Sequence, residues 1–473
     1  WLQQGGNGRI ESGGYNSEGD YTDWYFRDVA DSDPSVTYYG TQSDDRPWKP
    51  ANTGIVTITP APETVTVDRT ASVIDSDRKG ESRPLLSKVV GGAAAAYSLR
   101  DLNDKAGNNK VVEVRRSSDD TDRIFLAKEV SNGTLEAWVN PENGVFQNTG
   151  YESFTNASAT GLTASNTGST GFAVSDILDG VSGDVVSVSF DIDITNGSPS
   201  ISLRTVMDGG STASNSATYT SSGSKTATLT ATKGYVGIGF TEGDAPSNFT
   251  VSNFKILGDG FVSKWYDQSG NDNDAVQATA GSQPKVVDAG SLVTGGIDFL
   301  DGTDTFLETT NSDICNVAQL SLFTVLTPHI ASSQKSAFSC GATVGSSANY
   351  GGWEMNLNGY GDDASFQTQA KGNSAVAGVS TDVTSSEALL SFVSTFPNAS
   401  ISRDGGTATT TSSMISPNQT GTGARRFRIG CKYTFRTANF YTQPINEIII
   451  YTSDQSANRP AIEANINNQY DIY

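Results

Sequence analysis

The chain has 473 residues, with 31 Lys and Arg against 52 Asp and Glu, a formal charge of −21. So acidic a chain repels phosphates and anionic lipid surfaces, which argues against a nucleic-acid partner. No apolar run of about 18 residues is present to cross a bilayer as a helix.

Hydrophobic residues make up 36%, below the usual globular share of about 45–50%. Gly, Ser, Thr and Asn fill the gap. That composition predicts many short strands joined by polar turns, and the length fits roughly two to four domains. The opening Trp1-Leu2-Gln3-Gln4 is neither a signal peptide nor an initiator Met, so the chain is expected to begin inside a longer product. The cysteines, Cys315, Cys340 and Cys431, are odd in number and lack metal-site spacing. They read as buried free thiols, with one disulfide plus one free thiol as the alternative. The single histidine, His329, leaves no structural zinc set.

Residues 1–90 are Gly-rich at first and then rich in aromatics such as Tyr21, Trp24, Tyr38 and Trp48. Two strands are expected there, Ile55–Thr59 and Thr64–Val67, punctuated by Pro60 and Pro62. Too few positions alternate to build a core, so the stretch is expected to be an extended arm that orders against a partner. The Ala run at 93–96 predicts a short helix. Val111–Arg116 alternates as a strand and turns at Ser117–Asp120.

Residues 146–258 lose charge and gain Ser, Thr, Gly and Asn. Strand-like alternation recurs at Val185–Ile194, Ser200–Arg204, Lys225–Leu229, Tyr235–Phe240 and Phe249–Ile256, the pattern of a small β-sandwich. From 259 onward strands are expected at Gly260–Tyr266, Leu320–Leu326, Gly352–Leu357, Ala388–Val393, Arg426–Ile429 and Ile445–Tyr451. The last is the most apolar and should be central. Pro460 then opens a helix that places Ile462 and Ile466 on one face.

Two groups of residues carry a resemblance. One is Ala95-Ala96-Tyr97-Ser98-Leu99-Arg100 followed by Val114-Arg115-Arg116-Ser117-Ser118-Asp119-Asp120. The other is Lys264-Trp265-Tyr266-Asp267-Gln268-Ser269-Gly270-Asn271-Asp272-Asn273-Asp274, with Ile445–Tyr451 at the carboxyl end. Together they resemble the concanavalin A-like lectin/laminin-G domain of tailed-phage surface proteins. The Tyr-Asp-Gln-Ser-Gly-Asn element is also similar to the catalytic sandwich of family 54 α-L-arabinofuranosidases. In such proteins the two groups lie close together in sequence. Here the 146–258 block separates them.

The resemblance implies an all-β fold: a concanavalin A-like β-sandwich, or jelly roll, built from 91–145 and 259–473. A second small β-sandwich, 146–258, would be inserted in a loop, and 1–90 would be an extended N-terminal arm. The insert resembles carbohydrate-binding modules in strand spacing alone.

Glycoside hydrolysis needs two placed carboxyl groups. The resemblance to the arabinofuranosidases implies a nucleophilic Glu a few residues after a Trp-containing strand and an acid after Arg428-Ile429-Gly430, whereas here Glu354 follows Trp353 directly and Cys431–Arg436 holds no carboxylate. No catalytic residue is therefore expected. Candidate ligand residues are Trp265, Asp267, Gln268, Asn271, Arg115 and Arg116. Trp265 reads first as core, and Arg115 and Arg116 read first as partners of Asp119 or Asp267. No organic cofactor is expected. Asp267, Asn271, Asp272 and Asp274 are candidate calcium ligands, and a self-bonded Asx turn is the plainer reading.

The resemblance implies a phage virion structural protein of the decoration or fibre type, on the virion surface. It would act as a homo-oligomer, held to other virion proteins through 1–90 and adhering to host-surface polysaccharide. A purely architectural shell protein and a secreted arabinofuranosidase-type hydrolase are the alternatives.

Overall fold

The computed structural model describes residues 9–11, 25–27, 85–86 and 92–473, except 104–106, 142, 149–152, 168–170, 176–177, 179, 208–210, 243–245, 300–303, 310–312, 316, 330–334, 343–349, 359–362, 372–375, 418–424 and 433–439. The expected strands at 55–59 and 64–67, and most of the 1–90 arm, lie outside the described residues. Within residues 1–73, Arg9–Glu11 pairs antiparallel with Tyr25–Arg27.

The fold is all-β and antiparallel. Among the described residues, α-helices occur only at Ala127–Ser131, Thr134–Val139 and Arg459–Tyr470. The larger sandwich has a long and a short sheet. The long sheet runs Asp122–Leu126, Lys110–Arg116, Gly260–Trp265, Ala275–Val276, Leu307–Thr309, Arg425–Ile429, Lys335–Ala342, Tyr350–Asn358, Asp363–Lys371, Val376–Asp382. The short sheet runs Ala95–Ser98, Pro444–Tyr451, Gln319–Leu326, Ala388–Thr395, Asn398–Arg403, Thr409–Thr411. Strands from 95–126 are thus paired directly with strands from 260 onward, so one sandwich is assembled from both sides of the intervening block.

The central strands of the short sheet are buried on both faces. Ile448 and Ile450 point between the sheets with Leu322, Leu390 and Phe392. Ile449 and Tyr451 point the other way, onto Phe323, Val325 and the helix residues Ile462 and Ile466. A strand covered on both faces loses its polar alternation, which is why Ile448-Ile449-Ile450 reads as continuous apolar sequence.

Two expectations are corrected. The Ala run is the strand Ala95–Ser98, paired with Ser98↔Glu447 at one end and Ala95↔Ile450 at the other. Ala95 and Tyr97 enter the inter-sheet core while Ala96 lies under the helix. Such double burial outweighs alanine's helix propensity, and so short a helix would be marginal in any case. Cys315 and Cys340 form a disulfide rather than remaining free thiols. Cys431 is free and buried, and burial pushes its thiol up to about 12.

Residues 147–257 form a second sandwich of two five-stranded sheets. One is ordered Gly223–Thr230, Val185–Asn196, Pro246–Leu257, Gly161–Thr167, Ser153–Ser158. The other is ordered Ala217–Tyr219, Ile201–Val206, Gly237–Glu242, Gly171–Ser175, Gln147–Asn148. Phe146, Phe190, Phe240 and Phe254 fill a separate core, with Phe190 and Phe240 meeting edge-on at 5.1 Å.

The block's two ends are stapled together. Asn143 donates to the Phe254 carbonyl and accepts from the Ile256 amide, and Asn140 Oδ1 accepts from the Gly258 amide at 3.0 Å. Ends that meet this closely make excision cheap. Replacing 146–256 by a short Gly-Ser linker is therefore expected to leave a folded larger sandwich with cooperative melting, measured by calorimetry.

Candidate functional site

The motif residues singled out from sequence bond chiefly to the protein's own backbone and side chains. Trp265 has no exposed surface and packs on Tyr97 with ring centroids 5.7 Å apart, so it offers no stacking face. Asp267 Oδ1 accepts from the Ala96 amide at 2.8 Å and the Ser269 amide at 2.9 Å. Its Oδ2 accepts from Ser269 Oγ at 2.7 Å and the Asn273 amide at 3.1 Å. Burial raises its pKa against those bonds.

Gln268, nearly buried, accepts from the Leu102 amide and Asn109 Nδ2 and donates to the Ser98 and Arg100 carbonyls. Asn271 uses its amide nitrogen on the Ala93 and Ala94 carbonyls. The Tyr-Asp-Gln-Ser-Gly-Asn element is thus a latch between the 93–109 segment and the strand Gly260–Trp265.

The candidate calcium ligands Asp267, Asn271, Asp272 and Asp274 lie in one turn and bond chiefly within the protein. Asp274 Oδ1 accepts from the Asp267 amide, and Asp272 lies at a left-handed φ of 57°. The cluster is a self-bonded Asx turn. Among the described residues, no three His, Cys, Asp or Glu converge to hold a metal.

The two arginines are locally paired as well. Arg115 reaches Asp120 at 2.6 Å and Gln283 at 2.8 Å, over the Phe261 ring. Arg116 grips Asp119 through two nitrogens, over Trp138, and holds that carboxyl well below its usual range.

Two other surfaces carry chemistry. The first is the outer face of the long sheet, where Glu308, Arg428, Ser339 and Glu354 lie in one cross-strand row. Arg428 is fully buried and pairs with Glu308 at 3.0 Å, and Arg426 also pairs with Glu308. Lys432 Nζ lies 3.0 Å from Glu354 Oε1. Glu354 Oε2 and both amide atoms of Asn356 are buried with no hydrogen-bond partner among the described residues. Glu308 and Glu354 stand three strands apart along that row, with Arg428 and Ser339 between them.

The second surface is a groove of about 480 Å³ on the smaller sandwich, whose polar lining includes Ser189, Asp191, Ser224, Thr226, Asn253 and Lys255. The register places these side chains together. Ser189 faces Thr226 and Lys255, and Asp191 faces Ser224. A β-bulge opposite Phe190, with Asn253 at φ 50°, breaks the ladder and dishes the face. Asn253 Nδ2 donates to Asp191 Oδ2 at 2.7 Å. Hydrogen bonds from Ser224 and Asn253 lower the Asp191 pKa. The result is a fixed carboxylate among hydroxyls, an amide and an ammonium, a donor and acceptor set suited to a polyol.

Sequence reasoning weighed Glu354, and set it aside as a catalytic group, but did not reach Lys432, Asn356 or this groove. Alternation in Trp353-Glu354-Met355-Asn356-Leu357 does put Glu354 and Asn356 on one face. The groove's Ser and Thr residues look like their neighbours until cross-strand partners are known.

No protein-family model matches the chain, and no curated protein matches it. Among solved structures it is similar to the Ruminococcus gnavus IT-sialidase CBM40 bound to α2,3-sialyllactose, at 11% identity over 32% of this chain and 83% of that one, TM-score 0.27. A GH54 α-L-arabinofuranosidase soaked with a cyclic sulfate inhibitor aligns at 10% identity over 79% of this chain and 62% of that one, TM-score 0.36. Trypanosoma rangeli sialidase in complex with 2,3-difluorosialic acid aligns at 11% identity over 44% of this chain and 31% of that one, TM-score 0.32. At these scores no residue role transfers.

Proposed function

We propose that the chain is a non-catalytic adhesion protein of a phage particle surface, on capsid or tail, and that the Asp191 groove contacts host-surface polysaccharide. The groove's chemistry carries the glycan part: a carboxylate held by Ser224 and Asn253, flanked by hydroxyls and by Lys255. The particle location rests on the sequence resemblance, with 1–90 as the tether to other virion proteins in a homo-oligomer. The resemblance's acid region, Cys431–Arg436, holds no carboxylate, which favours binding over hydrolysis.

No aromatic ring is exposed in the groove, since Phe190 is buried. Recognition therefore runs through hydrogen bonds, and weak single contacts gain strength from many copies. A net charge of −21 keeps such outward surfaces soluble.

The test is a bacterial-envelope glycan array probed with the full chain. Binding is expected for the natural sequence, and Asp191→Ala is expected to weaken it roughly tenfold. A blank array would favour the architectural shell protein. Binding unaffected by Asp191→Ala would move the site elsewhere.

A further inference from the structure

We propose that Lys432 and Asn356 join in an intramolecular amide bond, with the Glu354 carboxylate carrying the protons. This inference is independent of the glycan reading.

Three observations support it. First, Asn356 is fully buried on the outer face of Tyr350–Asn358, and neither Nδ2 nor Oδ1 has a hydrogen-bond partner among the described residues. Leaving a buried amide without hydrogen bonds is costly, so a native fold that keeps it bare calls for a reason.

Second, Glu354 lies two residues away on the same face, about 6.7 Å along the strand. Its Oε1 holds Lys432 Nζ at 3.0 Å, while Oε2 is buried without a partner among the described residues. The lysine side chain is 22% exposed and the glutamate 9%, so the pair is largely shielded from bulk water.

Third, the backbone delivers the lysine across the sheet. Beyond Arg425–Ile429, Ser339 Oγ donates to the Cys431 carbonyl at 2.8 Å. Ser339 projects from the outer face of Lys335–Ala342, beside Glu354 in the register. The chain therefore crosses that face and sets Lys432 above it. Asn356 stands on the adjacent strand, opposite Ser336, one spacing of about 4.8 Å away. Ser336 and Ser339 are the residues of Lys335–Ala342 that face Asn356 and Glu354 in the register, and the Lys432 side chain already reaches Glu354 on that face.

The step balances without a co-reactant. The Glu354 carboxylate takes one proton from the Lys432 ammonium. The freed amine attacks Asn356 Cγ and the Nζ–Cγ bond forms. The protonated carboxyl gives its proton to Nδ2, the Cγ–Nδ2 bond breaks and ammonia leaves. The second amine proton passes through Glu354 to the departing ammonia, so one ammonium ion is released and nothing is oxidised or reduced.

Intact-mass spectrometry of the full chain, denatured and disulfide-reduced, tests this. The natural sequence is expected to weigh less than its residue sum by one ammonia, and trypsin is expected to release a branched peptide joining Lys432 to Asn356. K432R keeps the charge facing Glu354 but removes the nucleophile, and it is expected to show the full mass. E354Q removes the proton carrier and is expected to show the full mass too. N356D is expected to lose water instead of ammonia. The full residue mass in natively folded protein would overturn the proposal. An unchanged ammonia deficit in K432R would overturn it as well.

Discussion

Glu447→Gln is expected to destabilise the larger sandwich by about 3–5 kcal/mol, the range for stripping one partner from a buried ion pair. The Glu447 side chain has no exposed surface and sits on the central strand Pro444–Tyr451. Arg100 Nε reaches its Oε2 at 2.7 Å and Arg100 Nη2 its Oε1 at 2.8 Å. Ser98 Oγ and the Tyr470 hydroxyl each donate to Oε2 at 3.0 Å. Burial, then the Glu447 charge, raises the Tyr470 pKa well above its usual value.

One carboxylate thus ties the 95–100 segment, the central strand and the C-terminal helix together. The glutamine variant leaves the Arg100 charge nearly buried and unpaired. The combined change Arg100→Met and Glu447→Leu is expected to recover most of the loss, because a packed apolar pair has no charge to desolvate. Urea titration of the single and double variants measures both. A single-variant loss under about 1 kcal/mol, the level of an exposed pair, would contradict the assignment.

Cys315→Ala with Cys340→Ala is expected to cost about 3.5 kcal/mol, from the loop-closure entropy of a cross-link that spans 25 residues. The bridge pins the Asp313–Cys315 turn to Lys335–Ala342, and the Trp353 indole donates to the Ile314 carbonyl at 3.0 Å. Freeing the turn therefore disturbs a buried tryptophan. The variant is expected to melt several degrees lower and to show altered Trp emission before the main transition. Equal stability with and without reductant would count against a structural role for the bridge.

The sequence was most legible where one face is core and the other solvent. Val185–Asn196 alternates Val186, Val188, Phe190 and Ile192 inward with Ser, Asp and Val outward, and its period is plain. Asp363–Lys371 also alternates, but its inward positions include the small or polar Ala364 and Thr368, so its period is faint. The helices Ala127–Ser131 and Thr134–Val139 are too short for a 3.6-residue pattern to accumulate.

The candidate sites divide in the same way. Glu354 and Asn356 are two residues apart, so alternation alone aligns them. Glu308 and Arg428 meet only because strands 120 residues apart in sequence become neighbours. The motif most visible in the sequence, Trp265 to Asn271, bonds the 93–109 segment to the strand Gly260–Trp265. Its polar side chains occur together because a latch must bond many backbone groups at once.

A structure of the full chain soaked with a bound polysaccharide fragment tests the adhesion account most directly. The account predicts an intact sugar in the groove, hydrogen-bonded to Asp191, with Ser224 and Lys255 alongside. A sugar seated instead on the outer face of the long sheet between Glu308 and Glu354, or one with its glycosidic bond cut, would contradict it.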